Sequence, residues 1–109
     1  LRTPMIVAAV AATFFIATPA FAAEEIECSA GSAAVKIHWT DGSGAQQTNC
    51  YGGVGTLGVN LPRSSSVEAG GNTGWVEVVD PVGTATRRVF RPGDVIATDF
   101  QTLTKIYVG

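Results

Sequence analysis

Short alternations of apolar and polar residues run through most of the chain, and a sustained helical period is absent from everything after the first two dozen residues. Val35, Ile37 and Trp39 alternate with Lys36, His38 and Thr40, the period-two pattern of a half-buried strand. Asp41-Gly42-Ser43-Gly44 supplies hairpin-turn chemistry, and Gln46 to Tyr51 reads as the returning strand. Gly52 to Gly55 is a bend. Leu57, Val59 and Leu61 alternate up to Pro62, and Ser64 to Glu68 forms a weaker strand after it. A turn at Gly70 to Gly74 leads into a strand over Trp75 to Val79, rich in β formers. Asp80-Pro81-Val82-Gly83 turns the chain into Thr84 to Phe90, and Arg91-Pro92-Gly93-Asp94 turns it again. Val95 to Phe100 and Lys105 to Val108 close it. Turn signals at this spacing predict an all-β sandwich or barrel. The inward faces assigned by alternation carry Val35, Ile37, Trp39, Val59, Leu61, Val76, Val78, Val89, Ile96, Phe100 and Ile106.

The N-terminus follows another pattern. Arg2 precedes an apolar run from Met5 to Ile16, Thr18-Pro19 breaks it, and small residues at Ala20 and Ala22 flank Phe21. This is the layout of a signal peptide with cleavage after Ala22, and the apolar run is too short for a stable membrane span, which takes about 20 residues. Residues 1–22 are therefore expected to be a leader and 23–109 a single secreted domain, with Ala23 as the mature N-terminus. Export places Cys28 and Cys50 in an oxidising compartment, where a disulfide between them is the default. The strands around Glu25–Cys28 and Gln46–Cys50 should then be neighbours.

Six basic and nine acidic residues follow Ala22, a mature net charge of −3. Such a surface offers no electrostatic footprint for nucleic acid. No transmembrane segment is predicted beyond the leader, so stable membrane insertion is not expected, and a monomer is.

The segments Cys50-Tyr51-Gly52-Gly53-Val54-Gly55, Gly58-Val59-Asn60-Leu61 and Val67-Glu68-Ala69-Gly70-Gly71-Asn72-Thr73-Gly74-Trp75 resemble the small secreted βγ-crystallin-like proteins of actinobacteria, a group that includes killer-toxin-like proteins. The position of Cys28 and the basic-aliphatic ending Lys105-Ile106-Tyr107-Val108 fit the same group. The resemblance implies a βγ-crystallin-like sandwich of two Greek-key sheets. It departs from the family pattern at Gly52-Gly53-Val54, where the family shows Ala-Asn-Ala, and at Ala69 to Asn72, where it shows Ser-Gly-Asn-Asn.

Candidate chemistry is sparse. His38, the sole histidine, falls on the face opposite Val35, Ile37 and Trp39 and reads as a surface residue without a nucleophile or acid beside it. Ser64-Ser65-Ser66 has no nucleophile frame. Asp80, Asp94 and Asp99 sit at turns and strand ends. Arg87, Arg88 and Arg91 read as protection of a strand edge, and Trp39 and Trp75 as core anchors. The nearest approach to a crystallin-type calcium motif, Asn60-Leu61-Pro62-Arg63-Ser64-Ser65, has Leu61 where a second oxygen donor is needed and adds the cation Arg63. No catalytic residue, metal site or cofactor is therefore assigned, and the assigned special residues are the pair Cys28 and Cys50. The functional expectation is a secreted, non-enzymatic interaction protein acting on an extracellular target, with an antimicrobial, killer-toxin-like role implied by the resemblance. The alternatives are a secreted proteinase inhibitor presenting Asn60 to Ser64 as its loop, or a structural envelope protein.

Overall fold

The computed structural model describes residues 22–30 and 33–109, and the leader expected over 1–22 lies outside them but for Ala22. Among the described residues seven strands follow one another: β1 Ala23–Ile26, β2 Val35–Thr40, β3 Gln46–Gly53, β4 Gly55–Glu68, β5 Gly74–Val79, β6 Ala85–Phe90 and β7 Val95–Val108, with a 3-10 turn at Cys28–Ala30. They form one sheet in the order β1-β3-β2-β4-β7-β5-β6, with every pairing antiparallel. The all-β expectation holds. The two-sheet Greek-key sandwich does not: all seven strands share one hydrogen-bonded sheet, and the βγ-crystallin-like architecture falls with it.

The reason lies in two long strands. The breaks expected near Pro62 and after Phe100 are absorbed as bulges, so β4 and β7 each run for 14 residues. Their ladder shifts register between Gly58 and Leu61, Leu61 and Ser64, and Ser64 and Ser66. Pro62, which has no N–H to give, sits in one of these irregular stretches. The C-terminal half of β4 carries β2, and the C-terminal half of β7 carries β5, so the long pair ties the two ends of the molecule together. Strand β1 touches β4 and β7 although neither is its ladder partner, which shows that the sheet curls over itself.

One apolar cluster fills the curl. It includes Val35 and Ile37 of β2, Tyr51 of β3, Leu61 and Val67 of β4, Val76 and Val78 of β5, Phe90 of β6, and Leu103, Ile106 and Val108 of β7. Trp39, Val59 and Ile96 are partly buried against it. Two expected core residues are not there: Val89 and Phe100 are each 69% exposed. In β6 the inward residue is Phe90, one position along, and a slip of one residue turns a strand over. The β5–β7 approach is so close that a Cβ on Gly74 would lie 1.9 Å from the Tyr107 carbonyl oxygen.

The hairpin turns form as their sequences direct. At Asp41 the Gly44 N–H donates to the Asp41 carbonyl (3.0 Å) and the Asp41 N–H to the Ala45 carbonyl (2.9 Å), while one carboxylate oxygen accepts from the N–H groups of Ser43 and Ala45. Asp80 repeats the arrangement with Val82, Gly83 and Thr84. Gly44 and Gly83 take φ of 90° and 92°, the left-handed position that closes a three-residue hairpin loop. The expected disulfide is present: Cys28 and Cys50 are bonded with Cα atoms 5.1 Å apart, and Ile26 pairs with Cys50 in the β1–β3 ladder.

Candidate binding groove

Alternation along β2 turns His38 away from the core, as its sequence position suggests. The ladder then sets Thr48 of β3 on one side of it and Ser66 of β4 on the other. The His38 imidazole meets the Thr48 hydroxyl through Nδ1 at 3.1 Å and the Glu68 carboxylate through Nε2. His38 and Glu68 are 35% and 44% exposed, so the pair is screened by solvent but within reach of a ligand. A hydroxyl, an imidazole and a carboxylate in contact can share and reposition a proton and can offer both donors and acceptors. The surface reading of His38 missed this grouping because Glu68 lies 30 residues along the chain and comes alongside only when β4 pairs with β2.

The groove holding this grouping has a volume of about 350 Å³ and is walled also by Trp39, Gln46, Gln47 and Phe100. Trp39 is fixed rather than free: its indole N–H donates to Asn49 Oδ1 (3.0 Å), and the Asn49 amide donates to the Tyr51 hydroxyl (3.1 Å). Burial pushes the Tyr51 phenol up from its ordinary pKa, so it stays protonated. Beyond Phe100 lies a second hollow of about 200 Å³ between Asp80, Pro81, Asp99 and Thr102. The exposed phenyl ring thus stands as a ridge between two hollows.

The backbone that lifts the ring is in a conformation that side chains avoid. Asp99 and Phe100 have φ of 57° and 60°, two consecutive left-handed residues. Here three residues of β7, Thr98 to Phe100, bulge opposite Ser65 alone. Several contacts hold the bulge in place. Arg88 donates to the Ala97 carbonyl (2.8 Å) and pairs with the Asp99 carboxylate (3.0 Å). The Thr98 hydroxyl donates to the Ser64 carbonyl (2.6 Å) and meets the Ser64 hydroxyl at 2.9 Å, both residues being buried. Strained residues held by their surroundings in this way cluster at functional sites, which makes the bulge a candidate for one.

The remaining sequence candidates are dispersed. Ser64 to Ser66 lie inside a central strand rather than in a loop. Asn60 to Ser64, the expected inhibitor loop, also lies within β4, with Leu61 and Ser64 buried and the Arg63 guanidinium on the Asp41 carbonyl. An inhibitor needs such a segment projecting from the scaffold, and here it does not project. Arg87 and Arg88 are on β6, an edge strand as expected. Trp75 is not a core anchor: it stacks on Tyr107 with centroids 5.6 Å apart and is covered by the Arg87 guanidinium at 3.9 Å. Among the described residues no three of His, Cys, Asp and Glu gather as a metal site, and no helix is long and apolar enough to cross a membrane. No protein-family model matches the chain, and no curated protein matches it.

Proposed function

We propose that this chain is a secreted, non-enzymatic binding protein whose ligand sits in the groove between Phe100 and the His38–Glu68 pair. The observation that carries the reading is the Phe100 ring, 69% exposed on a strained backbone that three separate contacts hold in place. Folding gains little from an aromatic ring kept in water, so the arrangement makes sense as one prepared for a partner. The disulfide supports an extracellular setting. An exposed ring beside amides, hydroxyls, an imidazole and a carboxylate suits a ligand with a flat apolar face and a rim of hydroxyl groups, the chemistry of a sugar ring. The antimicrobial role implied by family resemblance drew on a fold this chain does not have, so the reading rests on the groove.

Calorimetric titration with a panel of cell-wall and plant oligosaccharides tests it. At least one should bind saturably, and Phe100→Ala should weaken that binding by at least about tenfold, since a buried phenyl contributes about 1.5–3 kcal/mol. A panel in which nothing binds, or a Phe100→Ala protein that binds as well as the parent, would overturn the proposal.

A further inference from the structure

An open sheet has two edges, and here they differ in charge. The first is β1, Ala23-Glu24-Glu25-Ile26 followed by Glu27. The last is β6, Ala85-Thr86-Arg87-Arg88-Val89-Phe90 followed by Arg91. Among the described residues each pairs with a neighbour on one side only, which leaves alternate backbone N–H and C=O groups along each to accept another strand. Glu24, Glu25 and Glu27 are exposed, as are Thr86, Arg87 and Val89. We infer that β1 of one copy of this chain pairs antiparallel with β6 of the next, joining copies into rows through an acidic edge against a basic one.

The faces agree with this pairing. Glu25 lies opposite Tyr51 and shares its face with buried Ala23, so it is on the core side of β1, while Glu24 and Ile26 are on the outer side. In β6, Thr86 and Arg88 lie opposite Val78 and Val76 on the core side, and Arg87 and Val89 are on the outer side. Strands joined in one sheet keep their faces in common. One register that does so sets Glu25 against Arg88, Glu24 against Val89 and Ile26 against Arg87, with Glu24 diagonal to Arg87. Each charge meets its opposite and each apolar residue covers a long side chain. Two β6 edges, or two β1 edges, would set like charges together, so the arginines that shield β6 from its own kind do not shield it from β1. The contact joins different patches on the two copies, so it propagates instead of closing a dimer. The shorter edge is only four residues long, which makes the association weak, concentration-dependent and sensitive to salt.

Sedimentation velocity on the protein recovered from cells expressing the full chain tests the inference. The parent should gain mass with concentration at low salt and lose that gain when salt is added. A Glu24→Lys/Glu25→Lys protein and a Thr86→Glu/Arg87→Glu protein should each remain single chains. The second leaves Arg88 on Asp99, so the bulge stays held. Mixed in equal amounts, the two should associate again, because each now carries the edge that the other lacks. Val89→Glu, at an exposed position that faces Glu24 in this register, should block association from β6 alone. A parent that stays a single chain at near-millimolar concentration and low salt overturns the inference. So do folded variants that associate alone as the parent does, or a mixture that stays dispersed.

Discussion

Phe100 offers a direct test of the strained bulge, because Phe100→Ala and Phe100→Gly remove the same ring and differ only in what they ask of the backbone. With φ at 60°, an alanine Cβ crowds the following carbonyl, at a cost of about 1–2 kcal/mol that glycine escapes. Glycine in turn gives the unfolded chain extra freedom worth about 0.4–1 kcal/mol. The difference leaves Phe100→Gly more stable than Phe100→Ala by about 1 kcal/mol. In a domain of this size that corresponds to a Tm about 4–8 °C higher. The loss of ring contacts is common to both variants and cancels in the comparison. Urea unfolding with a shared m-value, supported by thermal melts, reads the difference. Both variants should lose ligand binding to the same extent, which separates the ring's role from the backbone's. An alanine variant as stable as the glycine one would refute the left-handed assignment at Phe100, and with it the view that the fold bears a cost to hold the ring out.

The disulfide and the first hairpin give two further predictions. The Cys28–Cys50 bond closes a loop with a sequence separation of 22, so Cys28→Ala/Cys50→Ala should lose about 3 kcal/mol in urea unfolding, and the β1 amides should lose hydrogen-exchange protection first; a loss below about 1 kcal/mol would mean the reduced chain already holds these strands together. Hydrogen bonds from Ser43, Gln47 and the Ala45 N–H hold the Asp41 carboxyl well below the usual aspartate range. Its contribution to stability is therefore present above the unfolded pKa of about 3.9 and fades as pH falls towards the folded value. NMR titration should show the Asp41 carboxyl still ionised where ordinary aspartates are half protonated, and Asp41→Asn should flatten the acid dependence of stability; an ordinary titration midpoint would contradict the hydrogen-bond pattern of the turn.

The hairpins were legible because their chemistry is local. Asp41 to Gly44 and Asp80 to Gly83 carry the carboxylate and the left-handed glycine at the positions such a loop needs. The disulfide was legible because a chain that reads as exported and holds two cysteines is expected to bond them. The central strands were legible as segments but not as two continuous strands with their inward faces, because bulges break the rule by which faces are read. Inward residues of β4 fall at Leu61, Ser64 and Val67, three apart instead of two, and those of β7 at Thr98, Leu103, Ile106 and Val108. Period two carried forward from Ile96 through Thr98 puts Phe100 in the core, and it is the left-handed pair at Asp99 and Phe100 that turns the ring out. Pro62 reads as the end of a strand, but at a register shift it costs the ladder little. The groove was hidden for another reason. Thr48 faces His38 across the local β2–β3 hairpin, but Glu68 and Phe100 reach the groove through pairings between strands distant in sequence, and nothing near His38 signals either of them.

The bulge that exposes Phe100 also explains why the molecule is one sheet and not two. A sandwich stacks two separately hydrogen-bonded sheets face to face. In this chain the irregular stretch from Leu61 to Ser66, opposite Ala97 to Leu103, bends β4 and β7 without interrupting their ladder. The sheet curls around one core while remaining hydrogen-bonded throughout. Continuity has two consequences. Curvature is concentrated at the bulge, where the backbone must take up conformations that a regular strand does not need, so the aromatic ridge of the groove arises at the same place. A sheet that curls without closing also leaves the outer edges of β1 and β6 without a partner strand among the described residues, and such an edge is a risk unless its charge selects what may approach. Here one edge is acidic and the other basic, so each rejects its own kind and accepts the other. The groove and the edges are in this sense products of the same irregularity, and a substitution that regularised the ladder at Thr98 to Phe100 should alter both.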